Sequence, residues 1–294
     1  MIFSSSVALR KLKFKILATA LFGLVVTGPA LAGIEEPPVI PAEYGEVIYQ
    51  KEGEGENHLF IILQSHRNAD TGANNHNTVE VQSEIYRIGE WLVRHENVGL
   101  LLPEGYFNQQ RQPNVERVSR SRSTSLSLDD RTLKTILEDT SRLVSGDRLL
   151  MESYGLRLQQ VEDRELYHSI KDFLFRDRRA GFNEKQIGIL SYMQEKRSAV
   201  MLQAVPDAIE REMRQGGIVQ KKAIFTIGLA HVNELIRFLQ EGKIEIYSPR
   251  LGQVVEKGGL KLLEEDYVVT MIMPKTLTED REAIKIANLD RLFR

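Results

Sequence analysis

His58-Leu59-Phe60-Ile61-Ile62-Leu63-Gln64 is an almost unbroken apolar run that meets polar residues at Ser65 and His66. A run this short and this continuous reads as a strand buried on both faces, as in a parallel sheet covered by helices on each side. The same grammar recurs three times. Val98-Gly-Leu-Leu-Leu-Pro103 runs into Glu104, Gly155-Leu-Arg-Leu-Gln-Gln-Val161 into Glu162 and Asp163, and Ala223-Ile-Phe-Thr-Ile-Gly-Leu-Ala230 into His231. Helical spacing separates these runs. Val81, Ile85, Ile88 and Leu92 mark a helix from Thr78 to His95, and Leu133, Ile136, Leu137, Leu143 and Val144 another that stops at Gly146. Asp147 to Tyr154 is a short helix, and Asp163 to Arg179 a longer one. Asn183 with Gln186 has the spacing of a capping box, opening a helix through Pro206 to Gln215, and Val232 to Glu241 is a helix closed by Gly242. Further strands are expected over 45–51, 244–247 and 267–273, with Thr276 and Glu279 capping a terminal helix. This alternation predicts an α/β fold over residues 45–294: a single mixed, mostly parallel sheet flanked by helices.

In such sheets, ligands bind in the crevice beyond the carboxyl ends of the strands. The four marked ends therefore predict a polar rim holding His66, His231, Glu104, Glu162 and Asp163, the residue types of a transition-metal or general acid/base site. Each has a blander reading. His66 opens a loop rich in Asn, Asp and Gly, with Asp70 and His76 as second choices in it, and on its own is a surface imidazole. Glu104 follows Leu-Leu-Leu-Pro and precedes Gly105, where burial would raise its pKa unless a cation pairs with it. Asp163 suits an N-cap as well as a site, whereas Glu162 has no capping role. His231 begins a helix, and a helix N-terminus disfavours the imidazolium. Arg197 lies on the apolar stripe Leu190, Met193, Val200, Met201, Ala204; it either snorkels or pairs with a buried Glu104 or Glu162. His58, His95 and His168 carry no comparable signal, and neither a nucleophile elbow nor a glycine-rich phosphate loop is present.

The N-terminus reads as an export signal. Arg10, Lys11, Lys13 and Lys15 precede the apolar Ile16 to Val26, and Ala30-Leu-Ala32 supplies a cleavage site. The apolar stretch is short of the roughly 20 residues a membrane span needs, so no integral segment is expected after cleavage. Residues 33–44, with Pro37, Pro38 and Pro41, look like an extended tether. The expected location is periplasmic or secreted. The chain has no cysteine, so no disulfide holds the fold and any metal would be bound by nitrogen and oxygen alone. A formal charge of -2, made more negative once the basic signal is gone, offers no footprint for nucleic acid. Residues 106–131 hold Arg111, Arg117, Arg120, Arg122 and Arg131 with little apolar periodicity. They read first as a solvated loop and second as an anion-binding lid.

This layout resembles the superfamily that joins TraB and GumN-type proteins, Tiki proteases, erythromycin-esterase-like enzymes and ChaN-like haem-binding lipoproteins. Its members carry Gly-x-x-His after an early strand, Glu after the next, Arg in a late helix and a second Gly-x-x-His. Here the second motif is intact as Gly228-Leu-Ala-His231, and Glu104 and Arg197 match in Leu-Pro-Glu-Gly and Glu-Lys-Arg-Ser. Ser198 replaces a common Asn, and Leu63-Gln-Ser-His66 keeps the His but loses the Gly. The resemblance implies a rim site used for metal-dependent peptide hydrolysis, ester hydrolysis or haem binding. The expectation is an exported metal-dependent hydrolase acting on a peptide or small-molecule ester. His66 and His231, with Glu104 and Glu162, would hold a divalent ion such as Zn or Mn. Glu104 would act as general base and Arg197 would orient it or stabilise an oxyanion. A metal-free hydrolase using His66 as base is a variant within the same class. A non-catalytic protein that binds haem or metal, or an inactive one, stands as the alternative.

Overall fold

The main sheet is built from β1 (Gly45–Lys51), β2 (His58–Gln64), β3 (Leu100–Pro103), β4 (Arg157–Leu158), β5 (Lys222–Gly228) and β8 (Val268–Pro274). A second sheet is the antiparallel hairpin of β6 (Lys243–Ser248) and β7 (Gln253–Gly259). This is a computed structural model describing residues 40–53, 55–65, 76–108, 127–139, 144–177, 182–286 and 289. The expected signal segment lies outside them. In the main sheet the strands lie in the order β1-β8-β2-β5-β3-β4. All neighbours are parallel except β1, which closes one edge antiparallel to β8. Leu59 to Leu63 of β2 are wholly buried, as a strand between β8 and β5 must be.

The helices are α1 (His76–His95), α2 (Asp130–Glu138), α3 (Gly146–Tyr154), α4 (Arg164–Asp177), α5 (Glu184–Arg214), α6 (Val232–Glu241), α7 (Lys261–Glu264), α8 (Lys275–Glu279) and α9 (Arg281–Ile286). From β2 the chain steps through α1 to β3, then through α2 and α3 to β4. It returns the opposite way through α4 and α5 to β5, and through α6 onward to β8. Parallel crossovers are almost always right-handed, so opposite directions put their helices on opposite faces. The packing agrees: α1 lies against α2, α3 and α8, while α5 lies against α4, α6 and α7. Chain leaving the adjacent strands β2, β5, β3 and β4 thus alternates between the faces. That alternation opens crevices at their carboxyl ends.

Several local expectations change in the folded chain. The strand expected over 155–161 pairs at Arg157 and Leu158, with one more backbone bond from the Gln159 amide to the Leu101 carbonyl at 3.3 Å, after which the chain leaves the sheet edge. Gly146 begins α3 rather than stopping a helix. A Cβ there would lie 2.0 Å from the Gln82 carbonyl oxygen, so glycine permits the close approach of α3 to α1. Thr276 caps no helix; its amide and hydroxyl go to Glu84 of α1. β7, with its exposed Gln-Val-Val-Glu-Lys-Gly-Gly, lacks the apolar signal that marks a strand. The capping box at Asn183 forms with both of its hydrogen bonds, and Gly242 closes α6 with φ 67°. The proline-rich stretch packs down at its described end, where Ile40 is buried and Tyr44 rests on the core. Residues 109–126 of the arginine-bearing stretch lie outside the described residues, and Arg131 belongs to α2. No described helix is long and apolar enough to cross a membrane.

Candidate functional site

Glu104 is placed by the sheet itself. Its amide extends the β3–β5 ladder to the carbonyl of Thr226 at 2.9 Å, and its Oε2 accepts the Gly228 amide at 2.6 Å. One residue therefore clasps two strand ends, with Gly105 turning the chain at φ 73° behind it. Glu162 comes in from beyond β4, where its Oε2 accepts the Gly105 amide at 3.3 Å. Its side chain is 0% exposed.

Arg197, on the buried face of α5, does not snorkel. Its Nε donates to Glu162 Oε1 at 2.9 Å and its Nη2 to Glu162 Oε2 at 2.6 Å, a bidentate fork. The same Nη2 reaches Glu104 Oε1 at 2.7 Å. Tyr167 of α4 lies under the guanidinium, its ring centroid 5.2 Å from Cζ. Burial acts to lower the pKa of Arg197, but the hydrogen bonds and charges of Glu162 and Glu104 outweigh it and raise it. A buried charge needs partners of this kind; losing one leaves an uncompensated ion.

His231 closes the group. It ends a single 3₁₀ turn, Leu229–His231, between β5 and α6 and is 1% exposed. Its Nε2 stands 3.4 Å from Glu104 Oε1, 3.3 Å from Arg197 Nη1 and 3.4 Å from Gln194 Nε2. Its Nδ1 is 2.7 Å from the Ser198 hydroxyl. That hydroxyl also lies 3.0 Å from the Gln194 carbonyl, the one partner of the two that can only accept. Donating there, Ser198 accepts from Nδ1–H. This tautomer, assigned from the network, leaves the Nε2 lone pair facing the Arg197 and Gln194 donors and the carboxylate. Ser198 is 0% exposed, so it orients the ring and has no access to act as a nucleophile.

Glu104, Glu162, Arg197 and His231 thus meet from three neighbouring strand ends and α5. The fourth strand end, that of β2, leads to His66, which lies outside the described residues together with Asp70; the side chain of His76 does too. Asp163 stands apart as the N-cap of α4, its Oδ1 accepting the Leu166 amide at 2.7 Å. His95 stacks on Trp91, and His168 stacks on Phe107 and packs edge-on against Tyr167; among the described residues neither is a hydrogen-bond partner of the cluster. Three further residues join the neighbourhood that sequence reasoning passed over. Ser198 was noted only as a departure from Asn. Asp147 is buried at the start of α3, accepting from Thr226 Oγ1 at 3.0 Å. Glu234, three residues after His231, has a buried oxygen without a hydrogen-bond partner among the described residues, and burial pushes its pKa up. Asp147 and Glu234 sit in the first turns of α3 and α6, where polar residues are ordinary and carry no signal, and Ser198 lies midway along α5, where a lone serine carries none either.

Of the four clustered side chains, Glu104 lines a cleft of about 440 Å³, shared with Tyr106, Asp147 and Arg148. Imidazole and carboxylate in contact beside a cleft can pass a proton between them. As metal donors they are incomplete. Two ligands of a tetrahedral ion with bonds of about 2.1 Å stand about 3.4 Å apart, which is the Glu104–His231 spacing. Yet both carboxylates are engaged by Arg197, and among the described residues no group of three or more His, Asp or Glu side chains is arranged to hold a metal. No protein-family model, curated protein or solved structure matches the chain.

Proposed function

We propose that this protein is an exported hydrolase of a peptide or ester bond, with Glu104 and His231 as the pair that activates water. The observation supporting this most is the contact of buried His231 Nε2 with Glu104 Oε1, where Glu104 lines a cleft and both side chains are fixed by other groups. Glu104 takes a proton from a water in the cleft as that water attacks the scissile carbonyl; buried His231 receives the proton from Glu104 and hands it back, and Glu104 delivers it to the leaving group. Arg197 holds Glu104 in place and keeps the buried carboxylates compensated. The resemblance of Leu-Pro-Glu-Gly, Gly-Leu-Ala-His and Arg197 to the TraB and Tiki superfamily supports the same reading.

A second form is favoured by the 3.4 Å spacing: a divalent ion held by His231, Glu104 and His66. Such an ion would lower the pKa of a bound water towards about 7.

The test is turnover by the purified mature protein on nitrophenyl esters and a fluorogenic peptide library. Glu104→Gln and His231→Gln should each lower the rate by about 10²-fold or more, as for the loss of a general acid or base. Elemental analysis of wild type and of the His66→Ala, His231→Ala variant separates the two forms, since equal metal content removes the metal one. A protein that turns over nothing and shows a Soret band on haem titration would replace this reading with ligand binding.

A further inference from the structure

The cleft that holds Glu104 continues past Gly105 and Tyr106 into a wider groove of about 1340 Å³ along the β4 edge of the sheet. Its described walls carry three guanidinium groups: Arg148 from α3, Arg157 from β4 and Arg164 from the start of α4. One carboxylate faces them, Glu212 of α5.

Each arginine is held from behind. Arg157 donates its Nε to Glu212 Oε2 at 3.0 Å, and Arg148 its Nε to Glu152 Oε1 at 3.1 Å. Arg164 lies over the Phe107 ring, 5.2 Å from its centroid. Glu212 is already satisfied: its side chain is 2% exposed and its other oxygen accepts from Gln159, which is itself held by Arg211. Among the described residues, the Nη groups of Arg148 and Arg157 and the whole guanidinium of Arg164 have no hydrogen-bonded acceptor. Guanidinium groups pinned through Nε or a ring face, with Nη groups left unbonded on half-exposed side chains, keep the fork that fits a carboxylate or phosphate. Glu212 offsets Arg157 and Glu152 offsets Arg148, so the charge of Arg164 is the positive surplus among these groups.

We propose that this groove binds an oxyanion, carboxylate or phosphate. Resting on the hydrolase reading, the anion is one end of a substrate whose scissile bond lies over Glu104. The substrate class is then a peptide bearing a free carboxylate, or an ester bearing a phosphate.

Calorimetric titration of the full-length mature protein at low and high salt tests this. Three probes are used: inorganic phosphate, an N-acetylated tripeptide with a free carboxylate, and its amide. Wild type should bind an anion at low salt, more weakly at high salt, and the amide not at all. Binding of phosphate alone assigns the groove to a phosphate group; binding of the peptide acid over its amide assigns it to a terminal carboxylate. Arg164→Gln removes an exposed group whose contact is the Phe107 ring face, so it should leave unfolding almost unchanged and weaken the anion by about tenfold. Arg157→Lys keeps a cation beside Glu212 while losing the fork, and should weaken it as well. The proposal is overturned if wild type binds neither anion at low salt, or if the Arg157→Lys, Arg164→Gln variant binds as wild type does. Anion binding by a protein that hydrolyses nothing leaves the groove standing and removes the hydrolase; hydrolysis without anion binding does the reverse.

Discussion

His58 and His231 belong to neighbouring strands of one sheet, at its opposite ends, and both are almost excluded from solvent at 8% and 1% exposure. His58 opens β2, stacks on Phe60 and shares one hydrogen bond with Thr270 at 2.8 Å. Burial first, and then the charge of Lys222, push its pKa down to about 3. His231 follows β5 and meets a carboxylate, a guanidinium, an amide and a hydroxyl. The same side chain is thus packing at the amino end and part of a buried polar cluster at the carboxyl end. What differs is the chain around it. At the carboxyl ends, loops leave towards alternate faces, and acids from beyond β3 and β4 meet a cation from α5. At the amino end of β2, the neighbouring strand contributes a lysine that disfavours a second positive charge.

The largest expected effect tests what holds the carboxyl end together. Arg197→Met strands two buried carboxylates and should cost about 3–5 kcal/mol of stability, measured by denaturant unfolding. Adding Glu104→Gln and Glu162→Gln to it should recover much of that loss, because the uncompensated charges go with the cation. An Arg197→Met protein as stable as wild type would mean the cluster is wetter and less coupled than its distances indicate.

Next comes the contrast between the two histidines. His231→Gln should lower turnover by about 10²-fold, while His58→Gln should stay within about twofold of wild type. Equal losses in both would erase the distinction between the two ends.

A third expectation concerns acid. Between about pH 3 and 6.5 the unfolded chain holds a proton at His58 that the folded chain does not, so stability falls as pH drops through that window. The slope from one proton is at most about 1.4 kcal/mol per pH unit. Glu84 acts in the opposite sense. Burial, against the hydrogen bonds of Thr276, raises it from 4.5 to about 6, so the folded chain holds the extra proton and gains stability as pH falls through that range. Unfolding midpoints at pH 4, 5, 6 and 7 should therefore show His58→Gln losing less stability on acidification than wild type. Parallel curves for the two proteins would contradict the assignment of His58 as a buried neutral ring.

The smallest effect is expected at the ring-orienting hydroxyl. Ser198→Ala removes the partner of His231 Nδ1 and should cost about 1 kcal/mol of stability. Its kcat should fall and its pH profile shift while KM stays near wild type, and Ser198→Thr should restore part of the loss. An unaltered pH profile would show that the hydroxyl merely fills space.

Much of this was legible in the chain before folding. The continuous apolar runs ending at Glu104 and His231 locate strands β3 and β5, since an unbroken apolar stretch of strand length needs cover on both faces, whereas the mixed run before Glu162 keeps only Arg157 and Leu158 in the sheet, at its edge. Arg197 on an apolar stripe left snorkelling and pairing with a buried acid both open, while Asn183 and Gly242 announced helix ends, because capping is local chemistry. Ser198, Asp147 and the arginine groove were silent. Their significance depends on which faces of α3, α4 and α5 come to rest beside which strand ends. That order, with β5 inserted between β2 and β3, arises from long-range pairing, and no pattern within a dozen residues encodes it. Local sequence thus specifies the elements and the polar residues at their tips; the meeting of Glu104, Glu162, Arg197 and His231 is a property of the assembled sheet.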